Sequence, residues 1–379
     1  MNILILSAST GGGHMKAAET LKEYIESNDK DAKVKLVDTL EYINPLINKI
    51  ISNGYVFLVR NMNYLYRIFY NDTDRKSLIS LFVTKTLMIL SKRITPLIKN
   101  FNTEVIVTVH PFSTEIISIL KESSVIQIPH ICLMTDYAAH NTWIKKNVDS
   151  YCVACEDMVS EMVIRGVRPD IIHPFGIPVA KEFFQQAKED KQAFRKDLQL
   201  DSVKTILIMA GSFGVNNIEE IYNSLLTIKE EFQIIIITGN NKGLYDRIRS
   251  IKQVTKKTKV VKYTKEVAKY MNLADVLITK PGGLTISEAL ASKLPMIIFD
   301  AIPGQEESNA KFLIRHGMAV SIGKGRDCNI VVEELLKDKV KLNKLEENCG
   351  KFNKEKSCKE IFELIKELIN ENKKQDETA

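Results

Sequence analysis

The chain has no run of 18 or more apolar residues, so no segment is expected to cross a bilayer as a helix. No G-x-G-x-x-G dinucleotide pattern is present either. Asp38 is the one acid that could follow a second strand to hold a ribose, which leaves a dehydrogenase reading weakly supported. The six cysteines are scattered at 132, 152, 155, 328, 349 and 358. Only Cys152 and Cys155 have C-x-x-C spacing, and no second pair follows at zinc-site distance, so six reduced thiols in a cytosolic protein are expected. Tryptophan occurs once, at Trp143. No basic leader precedes the apolar residues Met1 to Ser7, which therefore read as a buried strand and not as a signal peptide. The D-x-D triplet Asp72-Thr73-Asp74 reads as a loop away from any strand end, and no metal is expected there.

What is present suits a soluble protein with well-filled cores. With 379 residues, 45% of them hydrophobic and 26% charged, the chain has the length of two to three domains. Strands and helices alternate. Asn2 to Ser7, Lys33 to Val37, Val105 to Val109, His130 to Met134 and Tyr151 to Ala154 read as strands. A helix from about His14 carries Ala17, Ala18, Leu21, Tyr24 and Ile25 on one face. His173 to Pro178 cannot be helical and reads as an interdomain linker. The pattern restarts with strands at Thr205 to Met209 and Gln233 to Thr238, the second almost all isoleucine as in a parallel sheet covered on both faces. Val260 opens a further strand, and the stretch after Asn329 is charged and helical, with Glu371 to Ala379 expected to fray. Two doubly wound units, each opening on a strand and a glycine turn, are expected to place ligands beyond the carboxyl ends of their strands.

The net charge of +6 is concentrated. Between Lys49 and Lys99, nine lysines and arginines stand against Asp72 and Asp74, a net of +7 interleaved with tyrosine and phenylalanine. That mixture suits an anionic membrane surface. It equally suits single-stranded nucleic acid, or helices with aromatics packed inward.

Residues 275–309 are the most informative stretch. A strand from Val276 to Ile278 leads through Thr279 and Lys280 to Pro281-Gly282-Gly283, and a helix starts near Leu284 and Thr285. The first N–H groups of a helix have no partner inside it, so the turn can hold an anion. Glu288 lies one turn further in, where a carboxylate can accept bonds from a ribose diol. The next strand, Met296 to Phe299, leads to Gln305, Glu306 and Asn309, which suit a hydroxyl-rich group.

These blocks, Thr-Lys-Pro-Gly-Gly-Leu-Thr-x-x-Glu and Pro-Gly-Gln-Glu-x-x-Asn-Ala, resemble the nucleotide-sugar site of glycosyltransferase family 28. The nearest branch looks like the monogalactosyldiacylglycerol synthases and bacterial diacylglycerol glucosyltransferases. Gly11-Gly12-Gly13-His14 is similar to that branch's first loop, and Thr135-Asp136 with His140 and Trp143 resembles its Thr-Asp-aromatic block. Gly211-Ser212-Phe213-Gly214 resembles the phosphate-side loop, and Tyr263 and Thr264 stand where the family holds uracil through backbone contacts. His110 is also family-like and is assigned, with His140 and Trp143, to the acceptor.

The resemblance implies an α/β protein of the GT-B fold, with two Rossmann-like doubly wound domains facing a central cleft. Residues 1–178 would bind acceptor and membrane and 179–379 the UDP-sugar, with the final helix able to pack back on the first domain. The implied reaction moves glucose or galactose from UDP-glucose or UDP-galactose to the 3-hydroxyl of diacylglycerol, with inversion and no cofactor or metal. Either His14 or Asp136 is the base. A histidine there also suits a helix cap or a headgroup contact. With this resemblance the basic aromatic segment reads as a docking surface for anionic lipid, not for nucleic acid, on the inner face of the cell membrane. A peptidoglycan N-acetylglucosamine transferase and a UDP-sugar 2-epimerase share the fold and are the rival readings.

Overall fold

The computed structural model describes residues 1–9, 12–44, 90–184, 188–209, 217–252, 254–299, 301, 304–322 and 328–378. Most of the basic aromatic segment and the loop Gly211–Gly214 lie outside these residues. The chain divides into two compact units: Met1–Val179 with Ile302–Gln305 and Lys356–Ala379, and Ala180–Ala301 with Glu306–Glu355.

The first unit is built on β1 (Asn2–Ser7), β2 (Lys33–Asp38), β3 (Val105–Thr108), β4 (His130–Leu133), β5 (Ser150–Cys152) and β6 (Ile172–His173). They form one parallel sheet in the order β2-β1-β3-β4-β5-β6. Every residue of β3 and β4 is buried, as expected for strands covered on both faces. β2 is an edge strand and keeps Lys33 and Lys35 toward water, which discourages pairing with another chain. The helix Gly13–Asn28 buries Ala17, Ala18, Leu21 and Ile25, the face its spacing predicts.

Two sequence readings are corrected here. His173 is not linker: it ends β6, whose two residues are too few to show any periodicity. At the other end, the helix Ser357–Thr378 runs on past Glu371, where helix was expected to be lost. That helix packs on the first unit. Ile361 and Ile365 are fully buried, and Phe362 meets Tyr24 edge-on at 6.5 Å. Ser357 Oγ donates to the Gly176 carbonyl (2.8 Å), and Lys373 pairs with Glu104 at 2.7 Å.

The second unit repeats the plan with β7 (Thr205–Met209), β8 (Gln233–Ile237), β9 (Thr258–Val261), β10 (Val276–Thr279), β11 (Met296–Ile298) and β12 (Ala319–Ser321). The order is β12-β11-β10-β7-β8-β9, again all parallel. The isoleucines of β8 are all buried, and Ile234 and Ile236 belong to one core with Ile206, Ile208, Ile278 and Ile297. Gln233 opens that apolar strand fully buried, and its amide is matched. Nε2 donates to Thr205 Oγ1 and the Asp201 carbonyl, both at 2.9 Å, and Oε1 accepts from Asp201 N at 3.0 Å. A buried amide is tolerated when its groups are so bonded.

Histidine burial makes the first unit acid-sensitive. His130 in β4 is fully buried with Nε2 2.9 Å from Thr108 Oγ1, and burial, helped by the nearby Lys121 charge, lowers its pKa to about 3. The unfolded chain takes up this proton near pH 6.5, whereas the folded chain resists it until about pH 3. Stability is therefore complete above 6.5 and declines as pH falls through that interval, by a loss on the order of a few kcal/mol. Urea midpoints measured from pH 7 to 4 should drop steadily. A flat profile would contradict a buried neutral imidazole.

Candidate functional site

In the first sheet, β2 and β3 lie on opposite sides of β1, so the strand order reverses beyond the carboxyl ends of β1 and β3. This is where doubly wound sheets open a crevice. The chain places chemistry there from three strands. His14 follows β1, His110 follows β3, and Thr135 and Asp136 follow β4.

These side chains meet. The His14 and His110 rings stand edge to face with centroids 4.8 Å apart, and the Trp143 ring is 5.9 Å from His14. Thr135 Oγ1 lies 2.5 Å from His14 Nδ1. Trp143 donates its indole N–H to Asp136 Oδ2 at 2.8 Å, and Trp143, Asp136 and Thr135 are all buried. Gln305, which groups with the first unit, donates its amide to Asp136 Oδ1. His140 turns inward on its own loop: Nδ1 accepts from Thr142 N at 3.2 Å, and its carbonyl accepts from Trp143 N at 3.0 Å. This sets the turn that brings Trp143 over Asp136.

Electrostatics keep the pair of imidazoles neutral. Burial lowers the His14 pKa, and the Asp136 charge partly offsets that. Burial and the adjacent His14 hold His110 well below the ordinary value. His110 Nδ1 accepts from Phe112 N at 3.1 Å as it caps the helix Pro111–Glu122, so the neutral ring carries its proton on Nε2. The direction of the His14–Thr135 bond follows the tautomer of His14; in the tautomer protonated on Nδ1, which donates to Thr135 Oγ1, the lone pair on Nε2 can accept a proton.

Gly12 caps the helix Gly13–Asn28 at φ 78°, a left-handed conformation that favours glycine. Gly13 opens that helix. The same loop is tied down by Ser9, whose N–H donates to Asp38 Oδ2 at 2.9 Å and whose hydroxyl donates to the same oxygen. Asp38 Oδ1 accepts from Glu41 N at 3.1 Å. The acid that a dehydrogenase would use for ribose is thus engaged in holding its own loop.

In the second unit, the order reverses at β7 and β10, which pair with Met209 opposite Thr279. The loops leaving these strands are the two glycine loops, of which Gly211, Ser212, Phe213 and Gly214 lie outside the described residues. The other turns at Lys280 and Pro281. Gly282 N bonds to the Lys280 carbonyl at 2.9 Å, and the helix Gly283–Ala291 follows. Its first internal bond runs from Ile286 N to the Gly282 carbonyl, so the N–H groups of Gly283, Leu284 and Thr285 have no acceptor within the helix. Glu288 is half-buried one turn beyond Leu284.

Gly282 is informative because its backbone does not require glycine. It sits at φ −70°, ψ 138°, and a Cβ there would meet only Thr285 Oγ1, at 4.0 Å. Neither conformation nor packing accounts for it, whereas a ligand pressed against the helix start would.

Asn309 is fully buried and donates to the Pro281 carbonyl at 3.0 Å, so it braces the glycine turn from behind. Glu306 is half-buried in the first turn of the helix Gln305–Arg315. Tyr263 is exposed and Thr264 Oγ1 accepts from Glu266 N at 3.0 Å. Both follow β9, three strands from β10, about 14 Å away at the usual strand spacing. Thr135 escaped separate notice in the sequence. A hydroxyl residue beside an acid just past a strand end was the signal that could have found it.

Comparison with known proteins matches this layout. A family model described as monogalactosyldiacylglycerol (MGDG) synthase matches residues 14–179, and one described as the glycosyltransferase family 28 C-terminal domain matches residues 205–368. The processive diacylglycerol beta-glucosyltransferase of Bacillus pumilus (strain SAFR-032) is 30% identical over 380 residues, 98% of this chain and 97% of that protein. The protein of the same name from Bacillus subtilis (strain 168) is 26% identical over 368 residues, 96% of this chain and 94% of that protein. Among solved structures, Acinetobacter baumannii MurG is similar with a TM-score of 0.63 at 16% identity, covering 97% of this chain and 99% of MurG. The UDP-GlcNAc 2-epimerase from Neisseria meningitidis gives 0.62 at 14% identity, covering 97% and 100%. At such identities these structures share the fold.

Proposed function

The chain belongs to glycosyltransferase family 28, in the branch of the monogalactosyldiacylglycerol synthases and processive diacylglycerol glucosyltransferases, and from that membership we propose an inverting transfer of glucose or galactose from a UDP-sugar to the 3-hydroxyl of membrane diacylglycerol. The observation that carries the reading is the Thr135–His14 bond beside Asp136 in a unit of this family. It presents a neutral imidazole oriented to receive a proton.

In this reading the acceptor oxygen bonds to the anomeric carbon as the bond from that carbon to the UDP oxygen breaks. The acceptor proton passes to His14 Nε2, and the α-linked sugar becomes β-linked. The free N–H groups of Gly283, Leu284 and Thr285, with Lys280 and the loop Gly211–Gly214, meet the charge that grows on the diphosphate. Glu288 holds the ribose, and Glu306 and Gln305 the sugar. Asp136, fixed by Trp143, keeps the imidazole basic enough to act. Tyr263 and Thr264 flank the uracil, and no cofactor takes part. Among the described residues no helix is long and apolar enough to span a membrane, and the enzyme works as a peripheral protein on the inner face of the cell membrane.

The test is incubation with diacylglycerol vesicles and either UDP-glucose or UDP-galactose, with the lipid product separated and its anomeric configuration read by NMR. A β-glycosyldiacylglycerol is expected. Turnover of UDP-GlcNAc without any acceptor would instead identify an epimerase and end this proposal.

A further inference from the structure

Residues 242–269 of the second unit hold ten lysines and arginines against Asp246 and Glu266. Their net of +8 exceeds the +6 of the entire chain. The excess charge is therefore not confined to residues 49–99.

The fold gathers these charges at one margin. Among the described residues β9 is the edge strand of its sheet, pairing only with β8, and the helix Lys242–Ser250 packs beside it. Acids in the neighbourhood neutralise a minority. Lys257 pairs with Asp201 at 2.8 Å, Arg247 with Glu219 at 2.9 Å, and Lys269 with Glu266 at 2.5 Å. Lys242, Arg249, Lys252, Lys259, Lys262 and Lys265 are exposed and have no carboxylate partner among the described residues. Two of these cations crowd one ring: Arg249 and Lys262 lie 5.5 and 4.8 Å from the centroid of Tyr245. Val254 is exposed among them, at 47%.

We propose that this basic margin, from the helix Lys242–Ser250 across β9 to Lys265, is a docking surface for an anionic lipid bilayer. The proposal rests on the reading of the protein as an enzyme acting at a lipid surface. One or two lysines would suffice to guard an edge strand. Here the charge continues over a helix, a strand and the loops beside them. The exposed Val254 among such cations suits the headgroup region. Single-stranded nucleic acid would call for several free aromatic faces, but the Tyr245 ring is engaged by its two cations and the exposed ring of Tyr263 is read as flanking the uracil.

The test compares the wild type with K242Q/R249Q/K252Q/K259Q in sedimentation with vesicles of pure phosphatidylcholine or with 30 mol% phosphatidylglycerol (about that fraction). Each cation near an anionic surface is worth about fivefold in partition. The wild type should bind the anionic vesicles and be released by about 1 M salt, and the variant should bind at least tenfold more weakly. Transfer to diacylglycerol in neutral detergent micelles should be equal in both. Variant binding equal to wild type would overturn the proposal. So would equal wild-type binding to neutral vesicles, or tighter binding to a single-stranded oligonucleotide than to lipid. If no transfer occurs in micelles while the charge-dependent binding persists, the catalytic reading fails and the docking surface stands.

Discussion

Replacing His14 by alanine should lower transfer to diacylglycerol by about 10²- to 10⁴-fold, the usual contribution of a positioned base. Affinity for UDP should be unchanged, because the donor loops belong to the other unit. The pH profile gives a second reading. Burial lowers the His14 pKa and Asp136 raises it in part. A base must be unprotonated to act, so activity should hold on acidification past the ordinary imidazole value of 6.5 and fall below it. Asp136→Asn removes the charge that opposes burial, so the acid limb should move to still lower pH while the maximum rate falls. An acid limb unmoved in Asp136→Asn would show that His14 is not the titrating group. Full activity in His14→Ala would remove it from the mechanism altogether.

The second large effect is expected at Gly282. Gly282→Val places a branched side chain where the backbone tolerates it and where only Thr285 Oγ1 stands within 4.0 Å. Thermal stability should shift by no more than a few degrees, since half-buried Gly282 accepts a Cβ without backbone strain or close contact. UDP binding by calorimetry should nevertheless weaken more than tenfold, because the added carbons occupy the approach to the free N–H groups. Undiminished UDP affinity would mean that the diphosphate lies elsewhere. Asn309→Leu offers the contrast: it removes the brace on the Pro281 carbonyl and should cost stability and donor binding together.

Much of this was legible in the residues. The isoleucine run of β8 and the apolar run opening the chain announced buried parallel strands, because such strands need no polar face. The Pro-Gly-Gly turn announced a helix start with spare N–H groups. Strand order was not legible, since periodicity says which residues are buried but not which strand lies alongside. That is why the meeting of His14 with His110, separated by 96 positions, had to come from the fold. β6 and β12, with two and three residues, carry no readable period. Asn309 looked like a ligand to sugar because polar residues after a strand often are, yet its amide also serves as a buried brace. The charge of residues 242–269 was plain in the composition. That segment has fewer aromatics than residues 49–99, so charge alone marks it.

The helix Ser357–Thr378 carries a consequence for synthesis. It completes the first unit, yet it is translated after all of the second. On the ribosome, the amino-terminal half must wait with its outer face uncovered until the later half has already emerged and can fold. A stop near residue 355 would therefore damage the half made first and spare the half made last, the reverse of what linear order suggests.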